Sequence, residues 1–367
     1  MSITATSTTQ PAAAEIGPAG WARPRLCVVG PMVGRHHGRV THQGQIVADG
    51  LRAAGYEVLA VSAQANRYMR LADIIATLLR NRRRIDVLIV QVYGGPSFVV
   101  EDIASRFGRL FQQRIVMVLH GGAMPTFMSR FPAWSRRVLQ RADVIVTPSR
   151  FLSRALEGHA LDARVIPNTI HLTDYEYRHR ARVRPRLLWM RSFHDTYNPM
   201  MAVRTLARLR KSFPDASLVM AGQDSGLEAE VRAAASRLGL DEAIRFPGFL
   251  DAAGKRRESR DADVFLNTNR VDNMPVAIVE AAAMGLPVVA AGVGGICDLL
   301  TDGETGLIVP DDDDAAMAEA VQRLLLEPGL AGRLSAEGRR LAEQSSWDNV
   351  RPRWEQTFRE VAAPSLA

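Results

Sequence analysis

The stretch Val271 to Ala291, VDNMPVAIVEAAAMGLPVVAA, holds two acidic residues eight positions apart, Asp272 and Glu280. Between them DNMP reads as a turn that opens a helix, with Asn273 able to cap it and Pro275 suited to its first turn. Gly285 closes the helix, and the run from Pro287 starts a strand. One carboxylate therefore lies in the loop before a short helix and the other inside it. Backbone N–H groups at a helix start point outward and carry partial positive charge. Carboxylates accept hydrogen bonds from hydroxyls and free amides suit an anionic group, so the segment fits a polyhydroxylated, anionic ligand.

Outward from this segment, short apolar runs alternate with helical patterns along the whole chain. In the first half the predicted strands are 25–30, 57–61, 86–92, 114–120, 143–149 and 164–168. In the second half they are 186–190, 216–222, 244–248, 263–268, 286–291 and 306–310. The intervening stretches are helical in period, such as 40–55, where Ile46, Val47, Gly50, Leu51 and Ala54 share a face. Continuous apolar strands separated by helices predict parallel sheets covered on both faces. Residues 171–185, HLTDYEYRHRARVRP, are polar, charged and non-periodic, and are expected to link two domains. A chain of 367 residues suits that division. The expected layout is a disordered tail (1–20), a first domain (21–170), the linker (171–185), a second domain (186–345) and a C-terminal segment (346–367). The expected fold class is α/β, with two doubly wound Rossmann-like domains facing one cleft that is lined by the loops after the strands.

Composition narrows the function classes. Hydrophobic residues make up 47% and charged residues 23%, as in ordinary globular protein. No apolar run reaches the length of a membrane span. The first twenty residues lack the basic start and apolar core of a secretory signal. Cys27 and Cys297 fall on or beside predicted core strands, so free thiols in a reducing, cytoplasmic compartment are expected. The net charge of +7 is carried by arginine, since only Lys211 and Lys255 are lysines. Guanidinium binds phosphate bidentately, which fits an anionic substrate or an acidic membrane face; a solvated Arg-rich surface is the plain alternative. The densest group, Arg80, Arg82, Arg83 and Arg84, ends the helical pattern LADIIATLLRNRRR, where cations also favour the helix C-terminus. Nucleic acid is not an expected partner, because basic patches with interleaved aromatics and zinc spacings are both missing.

Several loops that follow strands should face the cleft. The loop 30–44 contains Gly34, Gly38 and Gly44, which let backbone approach a ligand, but no G-x-G-x-x-G spacing, so the dinucleotide fingerprint is missing. His120 ends an apolar strand and precedes Gly121 and Gly122, a candidate substrate contact. Arg191 ends the strand RLLWM, where it can neutralise a diphosphate as a glycosidic bond breaks. Gly222 follows another strand, with Asp224 reading as a turn residue. Gly294 and Gly295 can present amides to phosphate or serve a plain turn. Glu280 sits in the apolar run VAIVEAAAMG, where an unpaired carboxylate would be costly and a hydroxyl-bearing ligand is a natural partner.

These residues, in this order, resemble the retaining glycosyltransferases of the GT-B fold, family 4 (glycosyl transferases group 1), over about residues 25–360. The most specific part is the acidic-x7-acidic segment from Asp272 to Glu280 with EAAAMGLPVVAAGVGGICDLLTDGETGLIV; His120, TPSRF at 147–151 and IPN at 166–168 are similar but less specific. The resemblance implies a C-terminal helix that crosses back to the first domain. It also implies donor binding by the second domain, acceptor binding mainly by the first, no metal, and no cofactor besides the nucleotide-sugar co-substrate. Carried over, Glu280 holds the ribose hydroxyls and Asp272 contacts the donor sugar. Asn273, Met274 and Pro275 form the loop whose amides approach that sugar, Arg191 meets the diphosphate, and His120 lies near the transferred sugar. Two departures stand out: the family's lysine about five residues after the arginine is missing, and Asp272 replaces Glu. The expected reaction is sugar transfer to an acceptor hydroxyl with retention, the acceptor being a glycan, a lipid-linked molecule or a small molecule, with peripheral contact at an anionic inner membrane face as an option. The alternatives are a degenerate GT-B scaffold, motivated by the missing lysine, and another sugar-nucleotide enzyme. Lys211 and Lys255 fall in helical surface patterns, which argues against a pyridoxal-dependent phosphorylase.

Overall fold

A computed structural model describes residues 22–32 and 42–363. The first sheet contains β1 (Leu26–Val29), β2 (Val58–Val61), β3 (Val87–Val92), β4 (Arg114–Leu119), β5 (Val144–Thr147) and β6 (Arg164–Val165). The second contains β7 (Arg186–Met190), β8 (Ser217–Ala221), β9 (Ile244–Gly248), β10 (Val264–Asn267), β11 (Val288–Ala291) and β12 (Leu307–Val309). The orders are β2-β1-β3-β4-β5-β6 and β12-β11-β10-β7-β8-β9, with parallel pairing between neighbours. Both sheets are doubly wound, as expected. Strand order reverses between β1 and β3 in one and between β7 and β10 in the other. Ligands in such sheets bind beyond the carboxyl ends of the strands at that reversal. Arg191 follows β7 and Asn267 ends β10, so both flank the reversal of the second sheet.

Strands β1, β3, β10 and β11 are buried along their whole lengths, the reason they read as unbroken apolar runs. β6 is shorter than its predicted 164–168, because Pro167 has no N–H to extend a ladder. Cys297 is not beside a strand core: it lies exposed on the short helix Ile296–Leu299, while Cys27 is buried in β1. Among the described residues no helix is long and apolar enough to cross a membrane.

The last helix, Trp347–Ala362, packs Val350, Trp354, Phe358 and Val361 against Leu26 and Val28 of the first sheet, Val47 and Leu51 of its helix Gln43–Ala53, and Tyr56 in the turn that follows. A Cβ on Gly50 would collide with the Trp347 ring, so the glycine sets how closely these helices approach. The chain crosses between the two sheets twice, and the crossings are hydrogen-bonded to each other: Ile170 N–H donates to Ser345 (3.0 Å) and Trp347 N–H donates to Ile170 (3.1 Å).

Residues 171–185 are not a solvated tether. Arg180 is 2% exposed and donates to the carbonyls of Met284 (2.5 Å), Ser259 (2.5 Å) and Ala262 (3.2 Å). Those carbonyls lie at the C-terminal ends of two helices, Val276–Ala283 and Ala252–Asp261, where backbone acceptors lack intrahelical partners and a cation is favoured. Arg178 and Arg184 both bind the buried Asp263, at 2.6 and 2.9 Å. Charges that look solvent-seeking in sequence thus fasten this strap to the second domain.

Candidate active site

The Asp272 carboxylate is the hub. Its Oδ2 accepts from Arg191 Nη2 at 2.7 Å and from Asn269 Nδ2 at 2.6 Å, and its Oδ1 accepts from the Asn273 N–H at 2.7 Å. The Arg191 guanidinium also lies 5.2 Å from the Tyr197 ring centroid, a cation–π contact that fixes its plane. Both charged side chains are 17% exposed, so the pair is partly withdrawn from water. Around it, Arg191 Nε, Asn267 Nδ2 and Asn269 Oδ1 are buried with no partner among the described residues. Buried polar atoms are normally satisfied, so these three open valences set the surroundings of the pair apart. Asn267 and Asn269 escaped the sequence reading. The available signal was NTN directly after the apolar strand, at the end where ligands bind.

The next residues are fasteners. Asn273 does not cap the following helix: its Oδ1 accepts from the Ser149 hydroxyl across the domain boundary, and Pro275 occupies the cap position before Val276–Ala283. Met274 is buried; its carbonyl accepts from Asn168 Nδ2 at 2.9 Å and its sulfur from the Asn168 N–H at 3.2 Å. The Asn273 N–H is already given to Asp272 and Pro275 has none, so two of the three residues in the expected row offer no amide to a sugar.

The glycines also serve packing. Gly295 N–H donates to the Asp272 carbonyl (3.0 Å), and a Cβ on Gly294 or Gly295 would strike the carbonyl of Asp272 or Asn273. Gly222 N–H donates to the Gly248 carbonyl (2.9 Å), and the Arg191 carbonyl fills the place of a Cβ. Of the two readings of Gly294 and Gly295, the turn is the one these contacts support. The Gly222 and Gly295 amides are not available to phosphate. Asp224 accepts from the N–H groups of Gly226 and Glu228, which makes it a turn residue. Gly34 and Gly38 lie outside the described residues.

Glu280 is 8% exposed and fully partnered. Oε1 accepts from the Tyr175 hydroxyl at 2.8 Å, and Lys255 Nζ lies 2.8 Å from both carboxylate oxygens. Glu280 thus has partners within the chain, and Lys255, read in a helical surface pattern, is one of them. Lys255 stands in the first turn of Ala252–Asp261, whose N-cap Asp251 accepts from the Gly254 N–H at 2.7 Å. Tyr175 comes from the strap. Burial, with Glu280 beside it, pushes its phenol pKa up.

From the first domain, His120 is buried and its Nε2 lies 2.7 Å from Gln91 Oε1. That acceptor assigns the proton to Nε2 and leaves Nδ1 as an acceptor. The ring stacks on Tyr93 (5.0 Å, 20°), which His42 meets edge-on (6.2 Å, 78°). Burial drives the His120 pKa down to about 3, so the imidazole is neutral at physiological pH. Glu101, whose Oε1 accepts from the Tyr93 N–H at 3.0 Å, is pushed up to about 8 by burial. The turn after His120 reaches the second domain: a Cβ on Gly122 would lie 2.8 Å from Val271 Cγ2 and 2.9 Å from the Asp272 backbone. The His120 turn, Arg191 and Asp272 thus converge, and Glu280 forms a separate cluster one helix turn and more along the same segment.

Residues 184–327 match the family described as glycosyl transferases group 1. A phosphatidyl-myo-inositol mannosyltransferase from Mycobacterium leprae is 29% identical over 245 residues, which cover 65% of this chain and 64% of that protein. The match thus spans less than two thirds of that relative's length. Sucrose-phosphate synthase from Thermosynechococcus elongatus superposes with a TM-score of 0.75 at 18% identity, over 92% of this chain and 99% of the other. HepE of Anabaena, solved with UDP-glucose, also gives 0.75, at 15% identity over 92% and 100%.

Proposed function

We propose that this chain, which carries a glycosyl transferases group 1 domain over residues 184–327 on a GT-B fold, moves a sugar from a nucleotide-sugar to an acceptor hydroxyl with retention at the anomeric carbon. The observation that carries the reading is the Arg191–Asp272 pair, set at the reversal of the second sheet amid unpartnered buried polar atoms and touched by the His120 turn. With one Nη bound to Asp272, the guanidinium keeps N–H groups for a diphosphate, and Asp272 aims it. As the bond from the anomeric carbon to the diphosphate oxygen breaks, charge grows on that oxygen, and a prepositioned cation in a shielded site lowers the barrier most there. The acceptor oxygen bonds to the anomeric carbon on the face the diphosphate leaves, and its proton passes to the departing phosphate oxygen. The chain then supplies orientation and charge, and needs no dedicated base. The neutral His120 offers Nδ1 to a hydroxyl of the transferred sugar.

In this reading the second domain binds the donor and the first the acceptor, and the diphosphate charge falls to Arg191, because Lys255 stands at Glu280. The acceptor is amphipathic and met at an anionic membrane surface. Tyr68, Met69 and Val99 are exposed at the starts of the helices that follow β2 and β3, the cleft edge of the first sheet, next to Arg67 and Arg70. Arg80 and Arg82–Arg84 end the same helix, at the opposite edge of the sheet, and are poorly placed for this contact.

The test is turnover and nucleotide binding across UDP-, GDP- and ADP-sugars, with the anomeric configuration of the product read by NMR. Transfer with retention that Arg191→Ala abolishes is the expected result. Absence of nucleoside diphosphate binding, together with identical behaviour of Arg191→Ala, would overturn the reading.

A further inference from the structure

Glu280 cannot grip two hydroxyls in the arrangement seen here. A carboxylate offers about four acceptor directions. The Tyr175 hydroxyl takes one at Oε1, and Lys255 Nζ, at 2.8 Å from both oxygens, takes one at each. A single direction is left, on Oε2. The ammonium has three donors, of which two are spent on Glu280, so one remains. The Lys255 side chain is 29% exposed against 10% for Glu280, which leaves the ammonium the more open of the two. The pair thus presents one acceptor and one donor side by side. Adjacent hydroxyls on a sugar ring match that pattern: one O–H donates, while the oxygen of its neighbour accepts.

Building on the nucleotide-sugar reading above, we propose that Lys255 is itself a donor-binding residue and that Glu280 and Lys255 together read the vicinal ribose hydroxyls as one acceptor and one donor. Glu280 takes a proton from one hydroxyl and Lys255 gives one to the other oxygen. Tyr175 is a positioning residue, which holds Oε1 so that the free direction on Oε2 faces the ligand.

The experiment is calorimetry with whichever of UDP, GDP and ADP binds best, together with its 2′-deoxy and 3′-deoxy forms. The proteins are wild type, Lys255→Met, Glu280→Gln, the double variant of these two and Tyr175→Phe, each first checked for cooperative melting. Wild type should lose about tenfold or more on removal of either hydroxyl. Lys255→Met should weaken the ribonucleotide by about that factor and become blind to one hydroxyl while still reading the other. Tyr175→Phe should soften discrimination at the Glu280-bound hydroxyl alone. The double variant, which leaves no lone buried charge, should discriminate neither, and it serves if Lys255→Met fails to fold. Equal weakening of all three nucleotides in Lys255→Met would reduce the lysine to a neutralising counter-ion and overturn the proposal. So would tighter ribonucleotide binding with both hydroxyls still read. If wild type binds a nucleoside diphosphate but shows either pattern, only this inference falls; if it binds none, the nucleotide-sugar reading falls with it.

Discussion

Three hydrogen bonds converge on the Asp272 carboxylate, and one of them restrains Arg191, the arginine proposed to meet the diphosphate. Residues that act as one unit have non-additive effects. Asp272→Ala should therefore lower kcat/KM by about 10²–10³-fold, and Arg191→Ala/Asp272→Ala should be little worse than the poorer single variant; additive losses measured in steady-state kinetics would contradict the coupling. Two buried groups give a pH signature. The folded Glu101 carboxyl is pushed up to about 8 from an ordinary 4.5, so the folded state keeps a proton that the unfolded chain releases, and stability falls as pH rises through that window. His120 works in the other direction. Its folded value of about 3 lies below the ordinary 6.5, so the unfolded chain protonates first and stability falls as pH drops from 6.5 toward 3. Glu101→Gln should remove the alkaline loss. In urea titrations its stability relative to wild type should rise between pH 5 and 8, approaching about 1.4 kcal/mol per pH unit; parallel curves would show that Glu101 does not titrate as described.

At the scale of elements, the loop 271–275 is held by backbone contacts that leave no room for side chains. Gly295→Ala forces a methyl group into the Asn273 carbonyl, and the loop carrying Asp272 must shift. We expect a loss of about 1–3 kcal/mol with transfer activity falling further than stability accounts for. Gly158→Ala is the control: it has ordinary backbone angles and its nearest neighbour, the Ala155 carbonyl, is 3.5 Å away, so thermal melting should change little. The elements themselves were legible because fully buried parallel strands read as apolar runs, and the residues after those runs point into the cleft by topology alone. Arg191 and His120 were found that way. That 171–185 joins the two sheets was legible, but how it is fastened was not: its charges look solvated until the orphan carbonyls of two distant helices are brought against Arg180.

At the scale of the whole molecule, the helix Trp347–Ala362 belongs by sequence to the end of the chain and by packing to the first sheet. Phe358, fully buried beside Tyr56, Trp354 and Leu26, is the natural probe. Phe358→Ala should cost about 3–5 kcal/mol. Because the helix start is hydrogen-bonded to the crossing at Ile170, calorimetry should show the first domain melting earlier, its transition drawn away from that of the second; an unchanged single transition would mean the helix is not part of that core. The Ser149–Asn273 contact and the ion pair between Arg154 and Asp298 (3.0 Å) add ties across the cleft wall.

Periodicity alone determined the two parallel α/β sheets and the loops that face the cleft, since burial of a strand or helix face is written into local spacing. Tertiary structure decided who partners whom. Asp272 holds Arg191 from 81 positions away, Lys255 and Tyr175 fill most of Glu280, and Asn273 and Met274 turn to the other domain. A carboxylate's role depends on which donors reach it within 3 Å, and that distance is set by packing between segments remote in the chain, which no local pattern records.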